Sequence, residues 1–164
     1  IERAAPVPTT PVPLRRSAIS FLLLVMLTVT SGGLVAGLGA GFDYNTWPLM
    51  ADALVPVGLY DGNPWWLAIF EDILTVQFDH RILAYLTFGS AILLWWRARE
   101  ISVSRWQYQC HLAIVTAVSL QLLLGIATLL SVVSLPLAVL HQAGAIFLFS
   151  CAVLTCHSCR RAHS

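Results

Sequence analysis

Pro136-Leu-Ala-Val-Leu-His-Gln-Ala-Gly-Ala-Ile-Phe-Leu-Phe-Ser-Cys-Ala-Val-Leu-Thr-Cys156 contains no Asp, Glu, Lys or Arg and a single histidine, His141. A helix needs ~20 apolar residues to cross the hydrocarbon core of a bilayer, and this run supplies them. Three similar runs precede it, at about 18–38, 73–96 and 108–133. Of all residues 58% are hydrophobic and only 10% charged, against roughly 25% charged in soluble domains. The sequence therefore reads as an all-α membrane protein, a bundle of four transmembrane helices. Its length leaves no room for a large channel or transporter. Nine Arg with no Lys, against eight acids, give a net charge of +1 and no basic stripe, which excludes nucleic acid as a partner.

Residues 1–16 hold Pro6, Pro8, Pro11 and Pro13 and are expected to form a tail or linker without regular helix. Residues 17–158 form the four-helix transmembrane domain, and 159–164 a basic tail. Because the chain begins with Ile1 rather than Met, it is read as incomplete. The loop between the first two runs carries Asp43, Asp52, Asp61, Glu71 and Asp72, no basic residue, and the aromatics Tyr44, Trp47, Tyr60, Trp65 and Trp66, which suit a headgroup-level segment. Arginines lie before the first run, between the second and third, and after the fourth. The positive-inside rule then puts both termini on the cytoplasmic or matrix side. Backbone groups in lipid must bond internally, so the runs are helices. Gly33, Gly37 and Gly41 form a four-residue repeat read chiefly as a helix-packing stripe.

Ionisable side chains within membrane spans are functional candidates. His80 lies seven residues into the second run and His141 five into the fourth, and both runs enter from the same side. At 1.5 Å per residue the offset is about 3 Å, so the rings lie at one depth. Gln77 and Ala84 share the His80 face, while Ala138, Gly144 and Ala145 share that of His141. Small neighbours leave a slot for a flat macrocycle, and a porphyrin with imidazole on both axial sides of its iron fits it. Zinc or copper fits less well, because no third ligand converges. The two hairpins, each with a histidine near the start of its second helix, suggest a duplication with the site between repeats. Arg81 is open to three roles: pairing a haem propionate, neutralising Asp79, or snorkelling outward. Asp79 could orient a histidine ring. His111, His157 and His163 are expected to be solvated. Cys156-x-x-Cys159 is followed by Arg160 rather than the His that covalent haem attachment requires, and reads as incidental.

The segments Ser31–Gly41, Tyr44-Asn-Thr-Trp-Pro-Leu-Met50, Val76-Gln-Phe-Asp-His-Arg-Ile-Leu83, Gln121–Leu130 and Leu140-His-Gln-Ala-Gly144 closely resemble the haem A synthase family, in order and from Arg15 to Cys156. The resemblance implies an eight-helix enzyme of two similar four-helix halves that oxidises a methyl group of haem O to the formyl group of haem A for cytochrome c oxidase assembly. This chain resembles the C-terminal half, which in the family holds haem b on two histidines that map onto His80 and His141. The N-terminal half holds the substrate haem and a glutamate three residues before its first histidine. Here that place is taken by Gln77, whose amide does not titrate, so this half alone is expected to be inactive. The cofactor-binding set expected is His80, His141, Gln77, Arg81, Ala84 and Gly144, with no catalytic residue of its own. Implied partners are the N-terminal half, the haem O supplier, an electron donor, the lipid bilayer and, left open, a second copy of the chain. The likeness is to the mitochondrial and alphaproteobacterial type, pointing to the mitochondrial inner membrane, with the bacterial plasma membrane as the alternative. A stand-alone two-histidine electron-transfer cytochrome is the competing function.

Overall fold

The computed structural model describes residues 11–160 except 63 and 102. Its helices are α1 (Val12–Leu38), α2 (Ala40–Asp43), a 3-10 turn at Trp65–Leu67 leading into α3 (Ala68–Glu71), α4 (Ile73–Glu100), α5 (Arg105–Leu130) and α6 (Leu135–Ser158). No strand forms among the described residues. There is only an isolated bridge between Met50 and Ala53.

Each boundary has a local cause. α1 begins at Val12, which corrects the expectation of an irregular tail for residues 12–16, while residues 1–10 lie outside the described residues: Pro13 occupies the first turn, where its missing N–H would have had no partner in any case. Gly39 closes α1 at φ 66°, the left-handed cap that glycine adopts without a Cβ penalty. Asp72 caps α4 by accepting from the Thr75 N–H at 2.8 Å. Ser104 and Gln107 form a reciprocal capping box at the start of α5, so that helix begins three residues before the apolar run does. It ends at Leu130 rather than Val133, because Val132 and Val133 turn at φ 53° and 56°.

α1, α5 and α6 are long and apolar enough to cross a membrane. α4 is as long, but Asp79, His80, Arg81 and its closing arginines lower its hydropathy, so three of the four expected spans meet that measure. The long helices close into a ring in which α1 and α5 each pack on both α4 and α6. α4 and α6, the carriers of His80 and His141, stand at opposite corners.

One end of this ring is solid. Leu14, Ala18, Phe21 and Val25 of α1 meet Ala91, Leu94 and Ala98 of α4, Ile114 and Val118 of α5, and Leu148, Ala152 and Cys159 beyond. Hydrogen bonds cross this end from Arg97 Nη1 to Ser17 Oγ (3.1 Å), from Gln107 Nε2 to the Ser158 carbonyl (2.8 Å) and from Cys156 Sγ to the Ala18 carbonyl (3.1 Å). All four cysteines are free, and Cys159 is wholly buried, so the C-x-x-C belongs to packing. His111 is also wholly buried, contrary to expectation, with Nδ1 2.7 Å from the Gln107 carbonyl. The rotation of α5 turns His111 inward, while its neighbour Leu112 is exposed. His157 is exposed, and His163 lies outside the described residues.

Candidate functional site

At the opposite end the four helices enclose a cavity of about 600 Å³, within the usual range for small-molecule sites. His80 and His141 both line it, from diagonal helices. Each ring is held back by the preceding long helix. Ser31 Oγ lies 2.8 Å from His80 Nδ1, and Gln121 Nε2 lies 3.1 Å from His141 Nδ1 while donating to the His141 carbonyl at 2.8 Å. A glycine makes room for each ring. A Cβ on Gly32 would stand 3.1 Å from His80 Cε1, and one on Gly125 2.9 Å from His141 Cε1. With Nδ1 engaged on the helix side, the other ring nitrogen is the one left for the cavity.

Of the other residues expected here, Gln77, Arg81, Ala84, Ala138 and Ala145 line the cavity. Gly144 does not: it packs against the Gln121 side chain and so supports the residue that touches His141. Gly33 borders the cavity, and a Cβ there or at Gly37 would meet nothing within 4 Å, so these two are not a helix-packing stripe. Only Gly41 is close-packed, against Val133 of the α5–α6 turn.

The loop after α2 is strapped over this end. Arg81 Nη2 donates to the Tyr44 carbonyl at 2.9 Å and Nη1 to that of Leu49 at 3.3 Å, so the arginine holds the loop instead of Asp79. Trp47, another cavity-lining residue, donates from Nε1 to Tyr85 at 2.9 Å. Asp79 points away from the histidines and accepts from the Tyr60 hydroxyl at 2.6 Å. That bond to the carboxylate is the chief reason the Tyr60 phenol is pushed up to about 12. Three buried polar atoms of cavity-lining residues, Arg81 Nε, Gln77 Oε1 and Gln121 Oε1, have no partner among the described residues. Buried polar atoms are rarely left so without a ligand or water to satisfy them.

Sequence reasoning found the two histidines but missed their holders, Ser31 and Gln121, and the paired glycines. The available signal was Gln121 itself, an amide in the middle of an apolar helix, four residues before Gly125.

Fold and site together define a membrane helix bundle built around a two-histidine cavity. The chain belongs to the cytochrome oxidase assembly protein family (COX15-CtaA), whose model matches residues 2–153. It is 49% identical over 159 residues to the heme A synthase of Granulibacter bethesdensis, covering 96% of this chain and 40% of that protein. The heme A synthases of Nitrosomonas eutropha (44%, 81% of this chain and 37% of the relative) and Parvibaculum lavamentivorans (43%, 88% and 41%) match similarly. The chain thus spans about two fifths of the length of the curated relatives it matches. These relatives are bacterial, which fits a plasma membrane and gives no support to the expected mitochondrial one. No solved structure matches.

Proposed function

We propose that the chain is the haem b-binding, C-terminal half of a haem A synthase, in which His80 and His141 are the axial ligands. The observation that carries this reading is the pair of imidazoles lining one cavity from opposite corners of the bundle, each held through Nδ1 from the neighbouring helix. The donor set fits haem better than a bare ion: no group of three or more His, Cys, Asp or Glu placed to hold a metal exists among the described residues, whereas two axial nitrogens suffice for an iron already held by four. The unpaired Arg81 Nε and Gln77 Oε1 would offer the carboxyl groups of a haem a donor and, when protonated, an acceptor. The short side chains of Ala84, Ala138 and Ala145 on the lining would leave room for a flat macrocycle.

A haem held by His80 and His141 would supply one-electron transfer rather than oxygen chemistry. The chain's residues bind and orient it: Ser31 and Gln121 set the rings, Gly32 and Gly125 set their depth, and Arg81 with Trp47 keeps the loop closed over the site. Gln77 cannot transfer a proton at useful pH. Oxidation of haem O therefore belongs to the other half of the full protein, the haem O supplier and electron donor being its further partners. The glycine and polar holder opposite each histidine support an origin by duplication. The arginine distribution supports four spans with both described ends on the cytoplasmic face.

The test is a haem titration of the purified chain in lipid nanodiscs. A low-spin, two-histidine spectrum is expected, with loss of it in His80→Ala and in His141→Ala. If both variants kept that spectrum at full haem content, the assignment would be wrong.

A further inference from the structure

His80 and His141 are held by partners of different chemical kind. Ser31 has one hydroxyl proton, and its Oγ lies 2.8 Å from the Thr28 carbonyl as well as 2.8 Å from His80 Nδ1. A carbonyl can only accept, so it takes that proton and leaves Oγ as an acceptor toward the ring. His80 Nδ1 therefore meets an acceptor, carries the ring proton, and leaves a lone pair on Nε2.

His141 is placed differently. Its Nδ1 lies 3.1 Å from Gln121 Nε2, an amide nitrogen that can only donate. The amide donor draws the ring proton to Nε2, where it blocks ligation. In the same side chain, Oε1 is buried without a partner among the described residues.

We propose that Gln121 is the positioning residue that decides which nitrogen His141 presents to the cavity. With amide Nε2 against the ring, Nδ1 accepts and the ring Nε2–H faces inward. With the amide turned over, Oε1 accepts from Nδ1–H and ring Nε2 is freed as a ligand, but the amide's hydrogen bond to the His141 carbonyl is lost, so the unturned form is the resting one. His80 is preset and His141 conditional, so the two axial bonds form in that order. The tautomer assignment stands on geometry alone. The order of ligation rests on the haem reading.

The experiment is nitrogen NMR of the chain labelled with 15N-histidine in nanodiscs, with both rings neutral and assignments from His80→Ala and His141→Ala. His80 is expected as the Nδ1–H tautomer and His141 with a substantial Nε2–H population. Gln121→Met, similar in length but without an N–H, should move His141 to Nδ1–H and leave His80 unchanged. A wild-type His141 found only as Nδ1–H overturns the proposal even if the methionine variant fails to fold, and so does an unaltered tautomer in that variant. In rapid mixing with haemin, Gln121→Met should complete the second ligation on the order of tenfold faster, the scale on which residues behind metal ligands act. Equal rates would overturn the ordering. A wild-type chain that develops no Soret band would instead sink the haem reading and leave the tautomer result standing.

Discussion

The two ends of the bundle use the same four helices and similarly small residues to opposite effect. At the end where the described termini lie, Ala18, Ala98 and Ala152 are almost fully buried because Leu14, Ile114 and Leu148 fill the space between them. At the loop end, Gly32 and Gly125 are small so that a ring can retreat against the helix beside it. Small residues bring helices together where large apolar side chains face them. Where polar rings are drawn back onto glycine, the same smallness moves volume to the centre and becomes a cavity.

The two ends should respond oppositely to substitutions that separate binding from stability. His80→Ala or His141→Ala is expected to abolish the low-spin haem spectrum and leave the unfolding midpoint of the haem-free chain nearly unchanged. Ile114→Ala at the solid end should do the reverse, costing about 2–5 kcal/mol of stability while any folded protein binds haem normally. Haem titration and denaturant unfolding of the same preparations check both. Next in size is Gly125→Val, whose Cβ would stand 2.9 Å from the His141 ring and should weaken haem binding on the order of 10- to 100-fold. Gly89→Ala, where a Cβ meets nothing within 4 Å, is the neutral control. Arg81→Leu removes two charged bonds from the strap. It should lower local stability by about 2–3 kcal/mol, seen as faster hydrogen exchange at residues 44–50 with the solid end unaffected.

The smallest effect is a pH dependence. Tyr60 titrates at about 12 when its hydroxyl is bonded to Asp79, against ~10 in the unfolded chain. Its folded value is the higher one, so its contribution is fully present below ~10 and is lost as pH rises through about 12. Tyr60→Phe should remove that alkaline loss from the unfolding profile. An unchanged profile would show that the bond adds nothing.

The four apolar runs made the helices legible, and one histidine at equal depth in each of two spans made the pair legible. Boundaries were less so. Val12 begins α1 because a first-turn proline is compatible with helix, and the capping box at Ser104 starts α5 ahead of the apolar run. The rotation of α5 decides that His111 is buried, and composition carries no rotation. Asp79 and Arg81 could be placed on α4, but their partners lie on a long loop whose course depends on the whole fold. Ser31 was visible only as part of a small-residue stretch. Its bond to His80 joins positions 49 apart in the chain.

Because α4 and α6 occupy opposite corners and pack chiefly on the helices between them, a plate pinned to both would act as a cross-brace. Loading would then be coupled to folding by mass action: at a free concentration 100 times its dissociation constant, such a brace raises stability by about 2.7 kcal/mol. On the proposed reading, a cell short of haem would hold this bundle in a looser, more readily degraded form, tying the amount of the protein to haem supply.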